Sequence, residues 1–409
     1  MTIYNFYFDE SSHDRAITCK DTGLNIYKGA QNDLFLGVFW GFKQEKEQAY
    51  QERYLYIENQ FKQIYKLKKG QEFKGTTISK KNFKFGFRSF NPNTLNVYTK
   101  LFEFIDDKEI TLHIHMYSKT EYLISQYFEE VYLPPYVNRN SFIYSIIKFL
   151  FNYRNEELME SLFTNKKTSP KEFLANLKLM LKKVISKTEN VERKIHETST
   201  LQDILCILDN IYIKAQPREK YEWDYKYLFI GLRELIEELN ISPNDVHLTI
   251  DPEGNRKIYN TAKRQDFHYV YDDEDSSENA LIRVADILSN MLHRLTLALY
   301  ESLKEAPFVN ADTHDYITRH ILNEEWFDIK NEEVYQLYVR LNRILKITNK
   351  NYWTIFSGIY YDYALIMVSL IEYIGEMYEN FNHFNTVTAK EHTEQFNIHV
   401  TNRLAATFY

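Results

Sequence analysis

The 409-residue chain has little cysteine, glycine or proline: 2, 11 and 8 residues respectively. Cys19 and Cys206 cannot supply a disulfide framework or a cysteine-rich zinc site, so the sequence favours a protein of the reducing cytoplasm. Glycine and proline are the residues that most often interrupt helices. Their scarcity over this length therefore favours long helices.

Long hydrophobic runs are also missing. The most apolar segment, 360–374, is interrupted by Asp362 and Glu372, which indicates a helix buried in protein rather than a membrane span. The chain opens directly on a strand-like segment, without the pattern of a secretory signal peptide. The sequence contains no phosphate-binding glycine loop, nucleophile elbow or dinucleotide fingerprint, which argues against the enzyme classes that use them.

The overall composition is that of a folded protein. Apolar residues make up 44% of the chain and charged residues 26%, both ordinary globular values. The net charge of −7 argues against a protein that coats DNA without regard to sequence. It leaves a nuclease open, because an acidic metal site contributes negative charge that bound cations offset.

The first ten residues after the start carry the strongest local signal. Segment 3–12 reads Ile-Tyr-Asn-Phe-Tyr-Phe-Asp-Glu-Ser-Ser, which predicts a buried strand that ends on Asp9 and Glu10. A central strand fixes the position of a carboxylate through its backbone, and such a carboxylate can hold a hard metal ion. The question for the rest of the chain is whether it supplies partners for Asp9.

Two later segments repeat the combination of apolar residues and a single acid. The alternating segment 245–250 predicts a strand, and Asp251 follows it directly. Asp286 lies on the apolar face of a helix predicted over 279–293, where a lone charge is costly unless it is paired or bound to metal. The alternatives are a turn or cap role for Asp251 and an ion pair of Asp286 with Arg283 or Arg294.

A fourth acid, Glu72, lies in a short polar segment between two predicted helices. Carboxylates that converge from strand ends and a helix can bind two divalent cations roughly 4 Å apart, which is the arrangement used to cleave phosphodiesters. Oxygen ligands favour Mg²⁺ or Mn²⁺ over zinc. Lys74 can neutralise a phosphate or the charge of the transition state. The alternatives are a surface salt bridge for Glu72 and a solvated loop lysine at position 74.

Four motifs occur in this order: Phe8-Asp9-Glu10-Ser11, Glu72-Phe73-Lys74-Gly75, Ile250-Asp251-Pro252 and Arg283-Val284-Ala285-Asp286-Ile287-Leu288. With them the chain resembles the bacterial family called domain of unknown function 3800, of the ribonuclease H-like superfamily. The resemblance implies an α/β fold in which helices flank a sheet of three antiparallel and further parallel strands. It also implies that the acids of the four motifs bind two metal ions for nucleic-acid hydrolysis.

The chain departs from the family pattern at two positions. Ser12 stands where a glycine is usual, and Arg283 stands where a glutamine is usual. The second departure bears on substrate contacts near Asp286. We expect five residues to contact the substrate: Glu10, Ser11, Lys80, Lys81 and Arg283.

Lys80 and Lys81 open the run 80–88, in which basic and aromatic residues alternate. This pattern is typical of single-strand binding, in which basic side chains contact the nucleic-acid backbone and aromatic side chains stack on the bases. The alternative, a hairpin with a solvated outer face, is the one we favour. His113 and His115 share one face of a predicted strand over 111–117, and we interpret that face as solvated, because the sequence offers no third metal ligand.

The resemblance covers residues 1–118 and 241–300, which we predict to be a ribonuclease H-like nuclease core. Helical patterns at 121–131, 141–163, 170–187, 201–214 and 224–240 predict a helical insertion over 119–240. Patterns at 313–323, 331–346, 354–380 and 389–406 predict a helical C-terminal extension over 301–409. The extension is a candidate surface for homo-oligomerisation.

The sequence therefore predicts a metal-dependent nuclease in which Asp9, Glu72, Asp251 and Asp286 hold two Mg²⁺ or Mn²⁺ ions and the substrate is DNA or RNA. Two alternatives stay open. One is a catalytically inactive scaffold of the same fold that binds nucleic acid or protein. The other is a hydrolase that acts on nucleotides.

Overall fold

The computed structural model describes residues 2–11, 16–20, 23–27, 33–153, 155–164, 168–214, 216–252, 256–274, 276–305, 321–357 and 362–408. The strands are β1 (Tyr4–Ser11), β2 (Ile17–Lys20), β3 (Gly23–Leu24), β4 (Leu34–Lys43), β5 (Lys84–Phe87), β6 (Thr111–Ser118), β7 (Val131–Tyr132), β8 (Tyr212–Ile213), β9 (Lys220–Tyr221), β10 (Val246–Ile250), β11 (Tyr269–Tyr271) and β12 (Ile355–Ser357). The helices are α1 (Glu47–Ile64), α2 (Pro92–Ile105), α3 (Lys119–Tyr127), α4 (Arg139–Asn152), α5 (Glu156–Glu160), α6 (Pro170–Thr188), α7 (Ile195–Leu208), α8 (Lys226–Glu238), α9 (Lys257–Arg264), α10 (Ile282–Glu305), α11 (Glu332–Arg343), α12 (Asp362–Glu376), α13 (Phe381–Phe384) and α14 (Ala389–Phe408).

A six-stranded mixed sheet in the order β11-β10-β1-β4-β6-β12 lies at the centre. β1 pairs in parallel with β10 and antiparallel with β4. β4 pairs antiparallel with β6, whereas β10 with β11 and β6 with β12 are parallel. Five strands therefore run in one direction and only β4 opposes them. The chain has an α/β fold with a mixed sheet flanked by helices, as the sequence predicts.

The sheet separates two hydrophobic cores. Side chains alternate across a strand, so Tyr7 packs into the first core while Phe6 and Phe8 pack into the second. The first core is completed by α1, α2, α10, α11, α12, α13 and α14, and the second by the helices from α3 to α9. Both faces of β1 and β4 are thus covered, which explains their nearly continuous apolar sequences.

Several predicted elements are confirmed, with shifted ends. The spacing of apolar residues within 44–67 predicts one long helix, which begins as a 3₁₀ turn, Gln44–Lys46, and continues as α1. Asn93 and Thr94 are both residue types that cap helices, but α2 is capped by Asn91, whose side chain accepts a hydrogen bond from the Thr94 amide. β1 runs on to Ser11, one residue beyond the pair of acids, Asp9 and Glu10, on which the strand was predicted to end. Ser12 and most of the predicted helix 313–323 lie outside the described residues. So does Asp275, which the acidic run after β11 offers as a substitute ligand if it faces Asp286.

The helix predicted over 354–380 is wrong at its start, because residues 355–357 form β12, which joins β6 at the edge of the sheet. The interpretation of the histidine face as solvated is also wrong. His113 and His115 are buried in the second core, and burial lowers the pKa of His113 to about 4. The Nδ1 atom of His113 lies 2.6 Å from the carbonyl oxygen of Trp353, just before β12. Within the described ranges, none of the helices combines the length and the apolar character needed to cross a membrane.

Candidate metal centre

Asp9 and Asp251 lie side by side on neighbouring strands. In the parallel pair of β1 and β10, Phe8 stands opposite Ile250, and each of the two acids is the next residue. Asp9 is held within β1, opposite Val38 of β4. The register of the sheet, which no local pattern reveals, thus brings together two acids separated by most of the chain.

Asp286 reaches the same place from helix α10, which packs across β1 and β4. The side chain is only 9% exposed, and hydrogen bonds fix both of its oxygens. The Gly75 amide donates to Oδ2 at 2.7 Å, and the Asn290 side chain donates to Oδ1 at 2.8 Å. The ion pairs considered from the sequence are not the ones formed: Arg283 pairs with Glu58, and Arg294 donates to the carbonyl of Ile78.

The close contact between the Gly75 backbone and helix α10 leaves no room for a side chain at residue 75. A Cβ atom added at Gly75 would lie 2.5 Å from Cβ of Asn290, which is closer than two such atoms can approach. A side chain here would push the segment that contains Glu72 and Lys74 away from α10. Close backbone approach is one of the reasons for which a protein uses glycine, and here the approach positions an acid.

Glu72 and Lys74 complete the group. The ammonium of Lys74 lies 2.8 Å from Oε1 of Glu72. Oε2 of Glu72 is buried and, among the described residues, has no hydrogen-bond partner. The hydrogen bond with Glu72 raises the pKa of Lys74, and the charges of Asp286 and Asp251 raise it further. The Lys74 ammonium therefore interacts with three carboxylates, those of Glu72, Asp286 and Asp251.

The acids affect one another electrostatically. Burial raises the pKa of Asp9 well above its usual range, and the charges of Asp286, Glu10 and Asp251 add to the increase. Burial also raises the pKa of Asp286; the hydrogen bond from Gly75 and the charge of Lys74 oppose the rise, while Glu72 and Asp251 add to it. These acids are close enough to repel one another, so the group carries negative charge that a cation would neutralise.

A buried ion pair holds the elements that carry these acids. Nε of Arg283 lies 2.6 Å from Oε1 of Glu58, and Nη2 donates to Oε2 at 3.0 Å. The Phe73 amide also donates to Glu58 at 3.3 Å. Glu58 of α1 thus joins the segment next to Glu72 and the first turn of α10.

The same guanidinium also contacts the loop before α10. Arg283 donates to the carbonyl of Ser276, and the Ser276 amide donates to Oδ1 of Asp251 at 3.0 Å. Arg283 was predicted to contact substrate. Its guanidinium is instead buried and engaged by Glu58 and Ser276, so it is a positioning residue for Glu72, Asp251 and Asp286.

Sequence reasoning missed Glu58, although a signal was present. The residue lies between Tyr54 and Phe61 on the buried face of α1, so it is an acid within an apolar helical stripe, as Asp286 is. A buried charge in such a stripe requires a partner. The partner, Arg283, lies 225 residues away and cannot be identified by spacing.

The remaining predicted site residues fall into two groups. The Glu10 amide donates to Oδ1 of Asp9 at 2.7 Å, and the Glu10 charge acts on Asp9, so this residue borders the group of acids. Ser11 is the buried last residue of β1. Lys80 and Lys81 are exposed at the start of a 3₁₀ turn. Their contact with substrate stays a prediction.

The alternating basic and aromatic run at 80–88 does not form a stacking surface. Phe83 and Phe87 are buried in the first core, and Arg88 pairs with Asp328 and Glu325. The favoured alternative, a hairpin, is also not formed, because the 3₁₀ turn leads into the short strand β5. The aromatic residues here stabilise the fold and are not available to bases.

The donor set fits a hard divalent cation. The four acids are all carboxylates, one buried Glu72 oxygen lacks a partner among the described residues, and burial together with mutual repulsion raises the pKa of Asp9 and Asp286. In the part of the chain that the structure describes, no three His, Cys, Asp or Glu side chains stand close enough together to share an ion. Lys74 pairs with Glu72, and both oxygens of Asp286 accept hydrogen bonds, so binding of an ion would require Glu72 to leave Lys74.

Comparison of the chain with protein-family models, curated proteins and solved structures found no match. The geometry of the four acids is therefore the main guide to function.

Proposed function

We propose that the chain is a metal-dependent nuclease with a ribonuclease H-like core. The strand arrangement supports the fold. β1, β4 and β6 form a continuous antiparallel ladder, and β10 and β11 extend it in parallel on the other side of β1. This is the combination of three antiparallel and further parallel strands that the family resemblance implies.

One observation carries the proposed activity: acids from two adjacent strands, one loop and one helix lie close enough to act on one another electrostatically. Asp9 and Asp251 are set by the β1–β10 register, and Asp286 is joined to the Glu72 segment through Gly75. Four elements that contribute one acid each are hard to explain as a means of stabilisation, because the repulsion among buried acids destabilises the fold. The arrangement is explained if the acids bind cations, because bound cations would offset this repulsion.

In this proposal Asp9, Glu72, Asp251 and Asp286 hold Mg²⁺ or Mn²⁺. Bound ions would supply an activated water and stabilise the charge that develops on the phosphodiester. The protein orients the ligands: the sheet fixes Asp9 and Asp251, and Gly75 and Asn290 fix Asp286. Lys74, once released from Glu72, presents its ammonium to the phosphate.

The test is cleavage of labelled single- and double-stranded DNA and RNA with Mg²⁺ or Mn²⁺, compared with EDTA. We expect metal-dependent cleavage that is lost in Asp9→Asn and in Asp286→Asn. Asp209→Asn is the matched control, because this acid is exposed and pairs with Lys178 on the protein surface. Cleavage that persists in both site variants, or that is absent for all substrates and both metals, contradicts the proposal.

An inactive scaffold is the second candidate, and the pairing of Lys74 with Glu72 favours it, because this ammonium already occupies one ligand. Metal titration separates the two. A site that binds Mn²⁺ raises the melting temperature with increasing Mn²⁺ by mass action, and Asp286→Asn removes the increase. A melting temperature that does not change with Mn²⁺ favours the scaffold.

A further inference from the structure

Three aromatic side chains, two of them exposed and one half-buried, form a patch on strands β10 and β11. On β10 and β11, His247 stands opposite Tyr269, and Thr249 stands opposite Tyr271. The His247 ring lies 4.8 Å from the Tyr269 ring and 5.7 Å from the Tyr271 ring. Tyr269 is 47% exposed and Tyr271 is 41% exposed. His247, Tyr269 and Tyr271 are called the aromatic platform below.

The platform lies on the same face of the sheet as the acids. Leu248, Ile250 and Val270 point into the second core, so the residues between them on β10 and β11 face the opposite side. Tyr7, on the neighbouring strand, belongs to the first core and lies on that same opposite side. Asp9 follows it two residues later.

The register gives the spacing between platform and acids. Tyr7, Thr249 and Tyr271 stand opposite one another and form one row across the three strands. Asp9 and Asp251 are the next residues on this face, two positions further along, which corresponds to about 6.6 Å of strand. The platform therefore leads directly to the acids along the strands.

The chemistry of the platform suits unpaired nucleic-acid bases. An exposed aromatic surface on an edge strand is a liability for association, so its presence beside a functional site requires a reason. Aromatic side chains on a sheet surface stack with single-stranded bases, because every base has a planar π-face. In a duplex these faces are already stacked on neighbouring base pairs and are not accessible.

The negative charge near the platform indicates that base stacking, and not attraction of phosphates, would supply most of the affinity for a nucleic acid. The loop that follows β11 begins with Asp272, Asp273 and Glu274, and the whole chain has a net charge of −7. Phosphate groups are not attracted to such a surface without cations. An interaction through bases depends weakly on salt, whereas one through phosphates weakens steeply as salt rises.

We propose that the aromatic platform binds unpaired bases of a single-stranded nucleic acid and delivers that strand to the acids. The inference rests on the proposed function and names its substrate class. Tyr271 is the ring nearest the acids along the strand, and Tyr269 binds a base one step further away.

Binding is measured by fluorescence anisotropy in EDTA, which prevents cleavage. The probes are labelled oligothymidylate and oligouridylate of about 12 nucleotides and a duplex of the same length. We expect the protein to prefer the single strands. The double variant Tyr269→Ala/Tyr271→Ala should lower this affinity by roughly 5- to 150-fold for each stacked base lost. The corresponding phenylalanine variant should bind like the unmodified protein, because it keeps both rings.

Tyr136→Ala is the matched control, because this tyrosine is 80% exposed and lies outside the platform. The exposed positions of the tyrosines predict folded variants, and unchanged melting temperatures check this. Equal affinity of the alanine variant and the unmodified protein, or no preference for single strands, overturns the platform.

Cleavage assays separate this inference from the nuclease proposal. If Asp9→Asn abolishes metal-dependent cleavage but the alanine variant cleaves single strands normally, the platform is wrong and the nuclease stands. If the alanine variant loses single-strand binding but no preparation cleaves any substrate, the platform stands and the nuclease is wrong.

Discussion

Arg283 and Glu58 form a buried ion pair that connects helix α10, which carries Asp286, to helix α1 and the segment that contains Glu72. Nε of Arg283 lies 2.6 Å from Oε1 of Glu58, and the two side chains are 6% and 0% exposed. Glu58 also receives the Phe73 amide and the ammonium of Lys62. A buried pair of this kind adds little net stability compared with apolar residues, but it fixes positions, and removing one partner is costly.

We therefore expect Glu58→Gln to destabilise the protein strongly. The substitution keeps the shape of the side chain but leaves the Arg283 charge buried without its partner, and losses of this kind cost about 3–5 kcal/mol. Urea unfolding measures the change in free energy. Glu103→Gln is the control, because Glu103 forms a similar pair with Arg340 at the surface, where the change should be about 0–1 kcal/mol. Equal effects at the two positions would show that the buried pair has no special role.

Gly75→Ala tests the close approach of the Glu72 segment to α10. The added Cβ meets Cβ of Asn290, so we expect a loss of about 1–3 kcal/mol, as for other overpacked sites. Weaker Mn²⁺ binding should accompany it, because the amide that holds Asp286 moves.

The matched comparison for Gly75→Ala uses Asn290→Gly, which removes the opposing Cβ. In this background Gly75→Ala should cost little further stability. A full additional loss would mean that the substitution acts through the backbone at residue 75 and not through the contact with α10.

Asp9, Asp251 and Asp286 could be selected as candidate site residues because each stands in a recognisable local pattern. Asp9 and Asp251 follow apolar strand residues, and Asp286 interrupts an apolar helix face. Side-chain periodicity depends only on local geometry, so it can be read from a single chain. The pairing of Phe8 with Ile250, which brings the two strand acids together, is a long-range property, and only the resemblance suggested it.

The elements that sequence reasoning missed depend on tertiary contacts. β12 has three residues and lies within a region of helical pattern, and it forms a strand because β6 offers it a free edge. His113 and His115 were interpreted as solvated because the sequence offers no third metal ligand, but helix α8 covers that face. A Cβ added at Gly231 of α8 would lie 2.8 Å from the His113 ring. Which face of a strand is covered depends on elements far away in the chain.

The raised pKa values of Asp9 and Asp286 predict how stability depends on pH. Both groups bind a proton more tightly in the folded state than an ordinary aspartate with a pKa of 3.8 does. Between the unfolded and folded pKa values the native state therefore holds more protons, and the free energy of unfolding falls as pH rises through that window. At neutral pH both acids are a source of instability when no cation is bound.

Two measurements check this. The melting temperature in EDTA should fall from mildly acidic to neutral pH more steeply than that of Asp9→Asn/Asp286→Asn, which lacks both charges. Saturating Mn²⁺ should remove most of the difference at neutral pH, because the ion stabilises the ionised form. Identical pH profiles for the two proteins would contradict the raised pKa values of Asp9 and Asp286.

Lys74→Met separates the two roles of the lysine. In the structure the Lys74 ammonium pairs with Glu72, and the negative charges of Asp286 and Asp251 raise its pKa further. Removing this positive charge frees a ligand and increases the negative potential, so we expect Mn²⁺ to bind roughly tenfold more tightly, as measured by calorimetry. Cleavage should nevertheless decrease, because the ammonium is no longer available to the phosphate. Lys80→Met, an exposed lysine in the next turn, should leave Mn²⁺ affinity unchanged. Weaker Mn²⁺ binding in Lys74→Met would show that the lysine organises the acids and does not compete with the ion for them.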